Sequence, residues 1–230
     1  MTTKLTTTKT AKIIKLPAFN KPTSKKGLCF GVGINDMTSE EIRPNGKNAK
    51  FYATWSSCLQ RCFSKSWHSM YPTYKDCTVA EEWLLLSNFK KWFDANYIEG
   101  YQLDKDFLVA GNKHYSPETC VFIPQQVNSF ICTGTNSKRG HLLGSVVQNG
   151  KFYSRVMNPF TKKMVHLGVF DTELQAHLAW KSQKHEYAIK LIAQYPNLQE
   201  SVKQALRTKY AHGLKLVSTQ PTNLDFLQAA

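Results

Sequence analysis

The stretch from Leu103 to Asn128 concentrates groups that titrate, bind cations or move protons. In the string Leu103-Asp104-Lys105-Asp106 a lysine stands between two carboxylates, and His114 follows in the polar loop AGNKHYSPE. An unperturbed lysine has a pKa of about 10.4, so Lys105 acts as a base near neutrality only where burial or nearby positive charge lowers it. Charged, it stabilises an anionic transition state or contacts phosphate. His114 offers an imidazole from the loop, with a solvated side chain as the plain alternative. Asp104 has the same kind of alternative, an exposed turn carboxylate, and Asn128 that of a surface or helix-start amide.

The six cysteines, Cys29, Cys58, Cys62, Cys77, Cys120 and Cys132, offer a different chemistry. Cys58 and Cys62 are four apart and share a face if helical, while Cys77 and Cys120 follow at uneven distances. Structural zinc sites use tighter paired spacing, so buried thiols are expected and structural zinc is not.

Thirty Lys and Arg against sixteen Asp and Glu give a formal charge of +14, and the sequence pI is about 9.5. Such an excess calls for a polyanion, and nucleic acid is the leading one because neutralised phosphates release counterions. The charge is unevenly spread. Residues 1–26 hold seven Lys and no acid, and residues 137–170 hold Lys138, Arg139, Lys151, Arg155, Lys162 and Lys163, again with no acid. No apolar run has the roughly 18–20 residues of a membrane helix, and the N-terminus has no signal-peptide core. A soluble, intracellular protein with no membrane partner is expected.

These groups need elements to position them. Residues 1–26, Thr- and Lys-rich with Pro17 and Pro22, read as a flexible basic leader, and GLCFGVGIND as a short strand and turn. A helix is expected from about Lys50, with Tyr52, Trp55, Leu59 and Cys62 or Phe63 at helical spacing. A second is expected through EEWLLLSNFKKWFDANY, with Trp83, Leu86, Phe89, Trp92 and Phe93 on one face. Strand, loop and strand are expected between Leu103 and Pro124, then a helix in QQVNSFI. Past a basic linker, LLGSVVQ, KFYSRVM and KMVHLGVF alternate as three strands with turns at Asn149-Gly150 and near Asn158-Pro159. Thr172 caps the next helix, which carries Ala176, Ala179 and Trp180 on one side and Tyr187, Ile189 and Leu191 beyond. A further amphipathic segment and a loose tail from about residue 213 complete the chain.

Trp55, Arg61-Cys62, Tyr74, Glu82-Trp83, Phe89, LDKD (103–106), GNKHYSPETC (111–120) and Asn128, in this order, resemble the phage-encoded HNH endonucleases over roughly residues 27–132. The resemblance implies a ββα-metal hairpin and helix holding one divalent cation against the scissile phosphate. Asp104 would be the metal-binding acid and Asn128 the helix ligand. Both are oxygen donors, so magnesium or manganese is implied. Thr119 corresponds to the residue that ties down the loop. Lys105 stands where the family has its His, so Asp104, Lys105 and His114 are the catalytic candidates.

The segment GSVVQNGKFYSRVMNPFTKKMVHLGVFDTELQAHLAWKSQKHEYA is similar to the APETALA2-type DNA-binding domain, through Gly144, Gly150-Lys151-Phe152, HLGVFDT and the Ala-rich helix. That family lays a three-stranded sheet in the DNA major groove. The implied contacts are Lys151, Arg155, Lys162, Lys163 and either His166 or Gln148; apart from the resemblance, Lys138 and Arg139 of the basic linker are further DNA-binding candidates. Arg155 is the expected guanine reader, and Met157 stands where the family commonly has Arg.

The expectation is an α+β chain: leader (1–26), HNH endonuclease-like domain (27–132), linker (133–141), APETALA2-type domain (142–195), and C-terminal helix and tail (196–230). It would bind double-stranded DNA and hydrolyse phosphodiester bonds with one divalent cation, in the cytoplasm of a bacterial host if phage-encoded. The alternatives are an inactive DNA-binding regulatory or architectural protein derived from such a nuclease, and an adaptor that counteracts a host system.

Overall fold

Large apolar side chains recurring every three or four residues set the helices of the first part of the chain. The computed structural model describes residues 27–132 and 140–211. They belong to two compact units, Met1–Asp94 and Ala95–Ala230. In the first, a tight turn closed by Cys29–Gly33 backbone bonds of 2.8 and 2.9 Å precedes a short α1 (Ser39–Ile42) with a Thr38–Glu41 capping box. α2 (Lys50–Phe63) buries Phe51, Trp55, Cys58, Leu59 and Cys62, while Phe63 is exposed. α3 (Lys65–Met70) and a two-residue strand, β1 (Thr78–Val79), follow.

The expected continuous helix through EEWLLLSNFKKWFDANY is interrupted. A 3-10 turn over Glu81–Leu84 ends at Leu85, which is extended (φ −95°, ψ 122°), and α4 runs over Leu86–Asn96. The cause is pairing: Ile34 N–H donates to the Leu84 carbonyl at 2.7 Å, and Leu86 N–H to the Ile34 carbonyl at 3.0 Å. Two strand-type hydrogen bonds outweigh one helical turn here. Trp83, Leu86, Phe89 and Phe93 are buried as expected, and Trp92 is half-buried.

The second unit is α+β. β2 (Tyr101–Asp104), the short β3 (His114–Tyr115) and β4 (Val121–Pro124) lead into α5 (Gln125–Ile131). β2 and β4 are antiparallel, with Asp104 opposite Val121 and Tyr101 opposite Pro124. All four residues of β4 are buried, which explains its unbroken apolar sequence. β5 (Ser145–Gln148), β6 (Lys151–Met157) and β7 (Met164–Phe170) form an antiparallel meander. Asn149 and Gly150 both have positive φ (51° and 72°), as a two-residue type I′ turn requires.

α6 (Glu173–Gln194) starts in a Thr172–Gln175 capping box and α7 (Glu200–Lys209) follows Pro196. Ile189 is exposed, unlike its neighbours Ala188 and Leu191. A single core joins Val121, Ile123, Val127 and Phe130 of the hairpin and α5 to Val156, Trp180, Leu191 and Leu206. The break between compact units falls after Asp94, and the segment expected as a linker lies within the second unit. The leader (1–26), linker residues Lys138 and Arg139, and the tail from residue 212 lie outside the described residues.

Candidate nucleic-acid interface

Alternation along β6 decides what the sheet shows to solvent. Ser154 and Val156 are buried on the side covered by α6, and Lys151, Arg155 and Met157 are exposed on the other. Cross-strand partners share a face, so His166 opposite Arg155 and Met164 opposite Met157 join them. Gln148, opposite Lys151, extends the same face onto β5. Tyr153 lies with its ring 6.0 Å from that of His166. A bulge between Ser154 and Arg155 shifts the register, after which Val169 rather than Gly168 points outward.

The sequence thus places Arg155 and His166 side by side on an open face. Lys162 and Lys163 stand exposed in the β6–β7 loop, whose form is set by Asn158: its Oδ1 accepts the Phe160 and Thr161 amides at 2.9 and 3.2 Å. The side chains of Arg155, Lys162, Lys163 and His166 make no hydrogen bond or ion pair among the described residues. Lys151 differs. Its Nζ lies 2.6 Å from Asp171, a carboxylate not singled out in the sequence, which holds the Lys151 pKa above its ordinary value. Of the five basic candidates of this sheet and its β6–β7 loop, four make no hydrogen bond or ion pair among the described residues and Lys151 is partnered.

The Asp104 hairpin is organised differently. Asp104 Oδ1 accepts the amides of Asp106 (2.9 Å) and Phe107 (2.7 Å), fixing the turn that leaves β2. The carboxyl is partly buried and adjoins that of Asp106; burial first, then the neighbouring charge, raises the Asp104 pKa, against the lowering effect of the two amides. Lys105 is buried at 9 % exposure, not projecting as a free phosphate ligand, with Nζ 3.4 Å from Asp106 and 5.9 Å from the centre of the Tyr115 ring. Cys120, behind this cluster, is pushed up to about 12 by burial, so it is an inert thiol.

Two side chains fasten the loop. Asn112 Nδ2 donates to the carbonyls of Lys105 and His114, both at 2.7 Å, and its Oδ1 accepts the His114 amide at 3.0 Å. Thr119 Oγ1 donates to the same His114 carbonyl at 2.9 Å. The loop-tying role expected of Thr119 is therefore shared with Asn112, which the sequence reading passed over although a turn amide after Gly111 was its signal. These bonds engage the His114 backbone and leave the imidazole exposed.

Asn128 is half-buried on α5, where its Oδ1 takes a 3.9 Å contact from the Cys132 thiol. As donors for a hard cation, Asp104 and Asp106 provide adjoining carboxyl oxygens and Asn128 an amide oxygen, which suits magnesium or manganese in kind. Among the described residues no group of three or more His, Cys, Asp or Glu is placed to hold a metal.

Two further residues escaped the sequence reading. Glu173 Oε1 accepts the Leu142 amide (2.7 Å), the Ser145 hydroxyl (3.0 Å) and a His141 ring nitrogen (3.1 Å), tying the entry of β5 to the start of α6. Lys184 sits on the apolar stripe Ala176-Trp180-Lys184-Ala188 of α6, a lysine at a core position of the helical period. No family model, no curated protein and no solved structure matches the chain.

Proposed function

We propose that the chain binds duplex DNA through the outer face of β5–β7. The observation that carries this is the pair Arg155 and His166 on the outer face of the sheet, with Lys162 and Lys163 exposed in the β6–β7 loop, none of the four having a hydrogen-bond or ion-pair partner among the described residues. A strand ribbon fits the major groove, and alternate side chains on a single face reach base edges or phosphates together. On this reading Arg155, exposed on β6, reads guanine and the two loop lysines hold phosphates. The resemblance of this segment to the APETALA2-type domain agrees with that assignment.

The test is fluorescence anisotropy of a labelled duplex across a range of salt. Arg155→Ala with Lys163→Ala should weaken binding and reduce the slope of log K against log salt by up to about two. Unchanged affinity and slope would remove the sheet from DNA binding.

A second reading, phosphodiester hydrolysis at the Asp104 hairpin, is favoured by the adjoining Asp104 and Asp106 carboxyls beside Lys105. Asp104, Asp106 and Asn128 would hold a divalent cation, which when bound supplies charge neutralisation at a phosphate. The chain's own part is positional. Two backbone amides orient Asp104, and Asn112 and Thr119 fix the loop that carries His114. Plasmid nicking with magnesium or manganese that disappears in Asp104→Ala supports this reading, and tight binding without cleavage under either metal refutes it.

A further inference from the structure

β5 pairs with Lys151–Ser154, the Gly144 carbonyl just before it accepts the Arg155 amide at 3.2 Å, and β5 does not run alongside Val156–Met157. Next to that uncovered part of β6 opens a groove of about 950 Å3 between α5, β6, the β6–β7 loop and α6. Its volume is near the top of the roughly 300–1,000 Å3 range of small-ligand sites. Three of its lining residues are basic, Arg155, Lys162 and Lys184, and none is acidic. Apolar and aromatic surface completes it: Phe130 and Trp180 on the inner wall, Phe160 exposed at the lip with Met157 and Met164.

Lys184 gives the groove its character. Its ammonium donates to the Phe130 carbonyl, near the C-terminal end of α5, and lies 3.6 Å from the centre of the Phe130 ring, 5.1 Å from that of Tyr210 and 5.7 Å from that of Trp180. No carboxylate pairs with it among the described residues. The titratable and charged groups around it are Cys132 beyond α5, Lys209 and Tyr210 at the end of α7, and Arg155 and Lys162 in the walls of the groove. A buried cation with cationic neighbours and no anion is an incomplete ion pair.

We propose that this groove receives one unstacked nucleotide of bound DNA, its phosphate held by Arg155, Lys162 and Lys184 and its base lying against Phe160 and the neighbouring apolar wall. This rests on the DNA-binding reading above. Arg155, Met157 and Met164 belong both to the groove and to the outward face of the sheet, so the two surfaces are continuous. Base–aromatic stacking tolerates any base, and a phosphate is the anion that three unopposed cations accommodate. A nucleotide that already lacks a partner costs least to extrude.

Burial, with Lys209 adding, lowers the Lys184 pKa to about 7. An entering phosphate favours the ammonium, so binding takes up a proton above that pH. Affinity for the extrahelical nucleotide then falls by up to tenfold per pH unit as pH rises beyond 7.

The experiment uses the full chain and three probes: a paired duplex, the same duplex with a single 2-aminopurine bulge, and free dAMP. Wild type should bind the bulged duplex at least tenfold more tightly than the paired one at pH 6.5, with the 2-aminopurine emission changing as the base enters the groove. That ratio should shrink at pH 8.5, and shrink also in Phe160→Ala and in Lys184→Met, with Lys184→Arg recovering part of it. Phe160 is on the surface, so its variant remains informative if Lys184→Met does not fold. Equal affinity for both duplexes overturns the proposal while leaving DNA binding intact, and so does a bulge preference unaffected by Phe160→Ala. Affinity for dAMP equal to that for the bulge overturns it in favour of a free-nucleotide site. Binding to neither duplex removes the DNA-binding reading itself.

Discussion

Gly144→Ala is the sharpest probe of how the sheet is seated on α6. Gly144 has φ +80°, and a Cβ built there would lie 2.0 Å from Trp180 Cγ, 2.3 Å from Cδ1 and 2.4 Å from its Cβ. Two costs add. An L-residue held in the left-handed region costs about 1–2 kcal/mol. The overlap is with the root of the indole, which no rotation of a flexible tip relieves, so the sheet or α6 must move, at about 1–3 kcal/mol. The sum is roughly 2–5 kcal/mol, or a fall in Tm of roughly 4–20 °C for a chain of this size.

Gly150→Ala separates the two costs. Its φ is +72° and nothing lies within 4 Å of the added Cβ, so only the conformational cost applies. Urea unfolding of both variants, with m unchanged, should put Gly144→Ala below Gly150→Ala by about 1–3 kcal/mol. A Gly144 variant no less stable than the Gly150 variant would show that the sheet does not rest on Trp180 as described.

Other expectations follow from single contacts. Asn112→Ala removes three hydrogen bonds of the hairpin loop and should cost about 2–3 kcal/mol, read by urea unfolding with faster amide exchange at His114; Asn112→Asp, which sets a carboxylate against two carbonyls, should cost more. Asp171→Asn releases Lys151 from its 2.6 Å partner and should tighten duplex binding and steepen the salt dependence by up to about 0.9, a steepening that Lys151→Ala cancels. Lys184 binds a proton in the unfolded chain up to the ordinary lysine pKa of 10.5 but in the folded chain only up to about 7. Stability relative to Lys184→Met should therefore rise between those pH values, by up to about 1.4 kcal/mol per unit. A flat difference would show that the carbonyl and the three ring faces keep the ammonium protonated.

Patterns of period two and period 3.6 made the α+β class legible, and so did local chemistry: Asn149-Gly150 marked the turn and Thr172 with Gln175 the start of α6. Leu85 was not legible, because its extended conformation depends on Ile34, some fifty residues away, and propensity within EEWLLLSNF favours helix. Long-range partners hid the site details for the same reason. Lys151 read as a DNA contact until Asp171 was found across the sheet, and whether Lys105 is buried, left open by the sequence, was decided by its packing beside Asp106 and the Tyr115 ring. Lys184 was open to recognition, since a lysine in the stripe Ala176-Trp180-Lys184-Ala188 breaks the apolar period of a helix that the sequence otherwise announces.

The β2–β4 hairpin with α5 and the β5–β7 sheet share one core. A two-stranded hairpin with one short helix buries too little to be stable alone, and a three-stranded sheet with one helix is itself marginal. Here Phe107, Val121, Ile123, Val127 and Phe130 pack in the same cluster as Val156, Trp180 and Leu191. Lys184 adds a polar tie across that seam, joining α6 to the Phe130 carbonyl. Packed interiors resist deformation, so the outer face of β5–β7 and the turn that holds Asp104 are parts of one rigid body. On the proposed reading, a duplex held by Arg155 and Lys163 would meet the Asp104 hairpin at a fixed offset set by side-chain packing. Cleavage, if the hairpin performs it, should fall at a constant distance from the bound site, and that distance should survive lengthening of the segment 133–139.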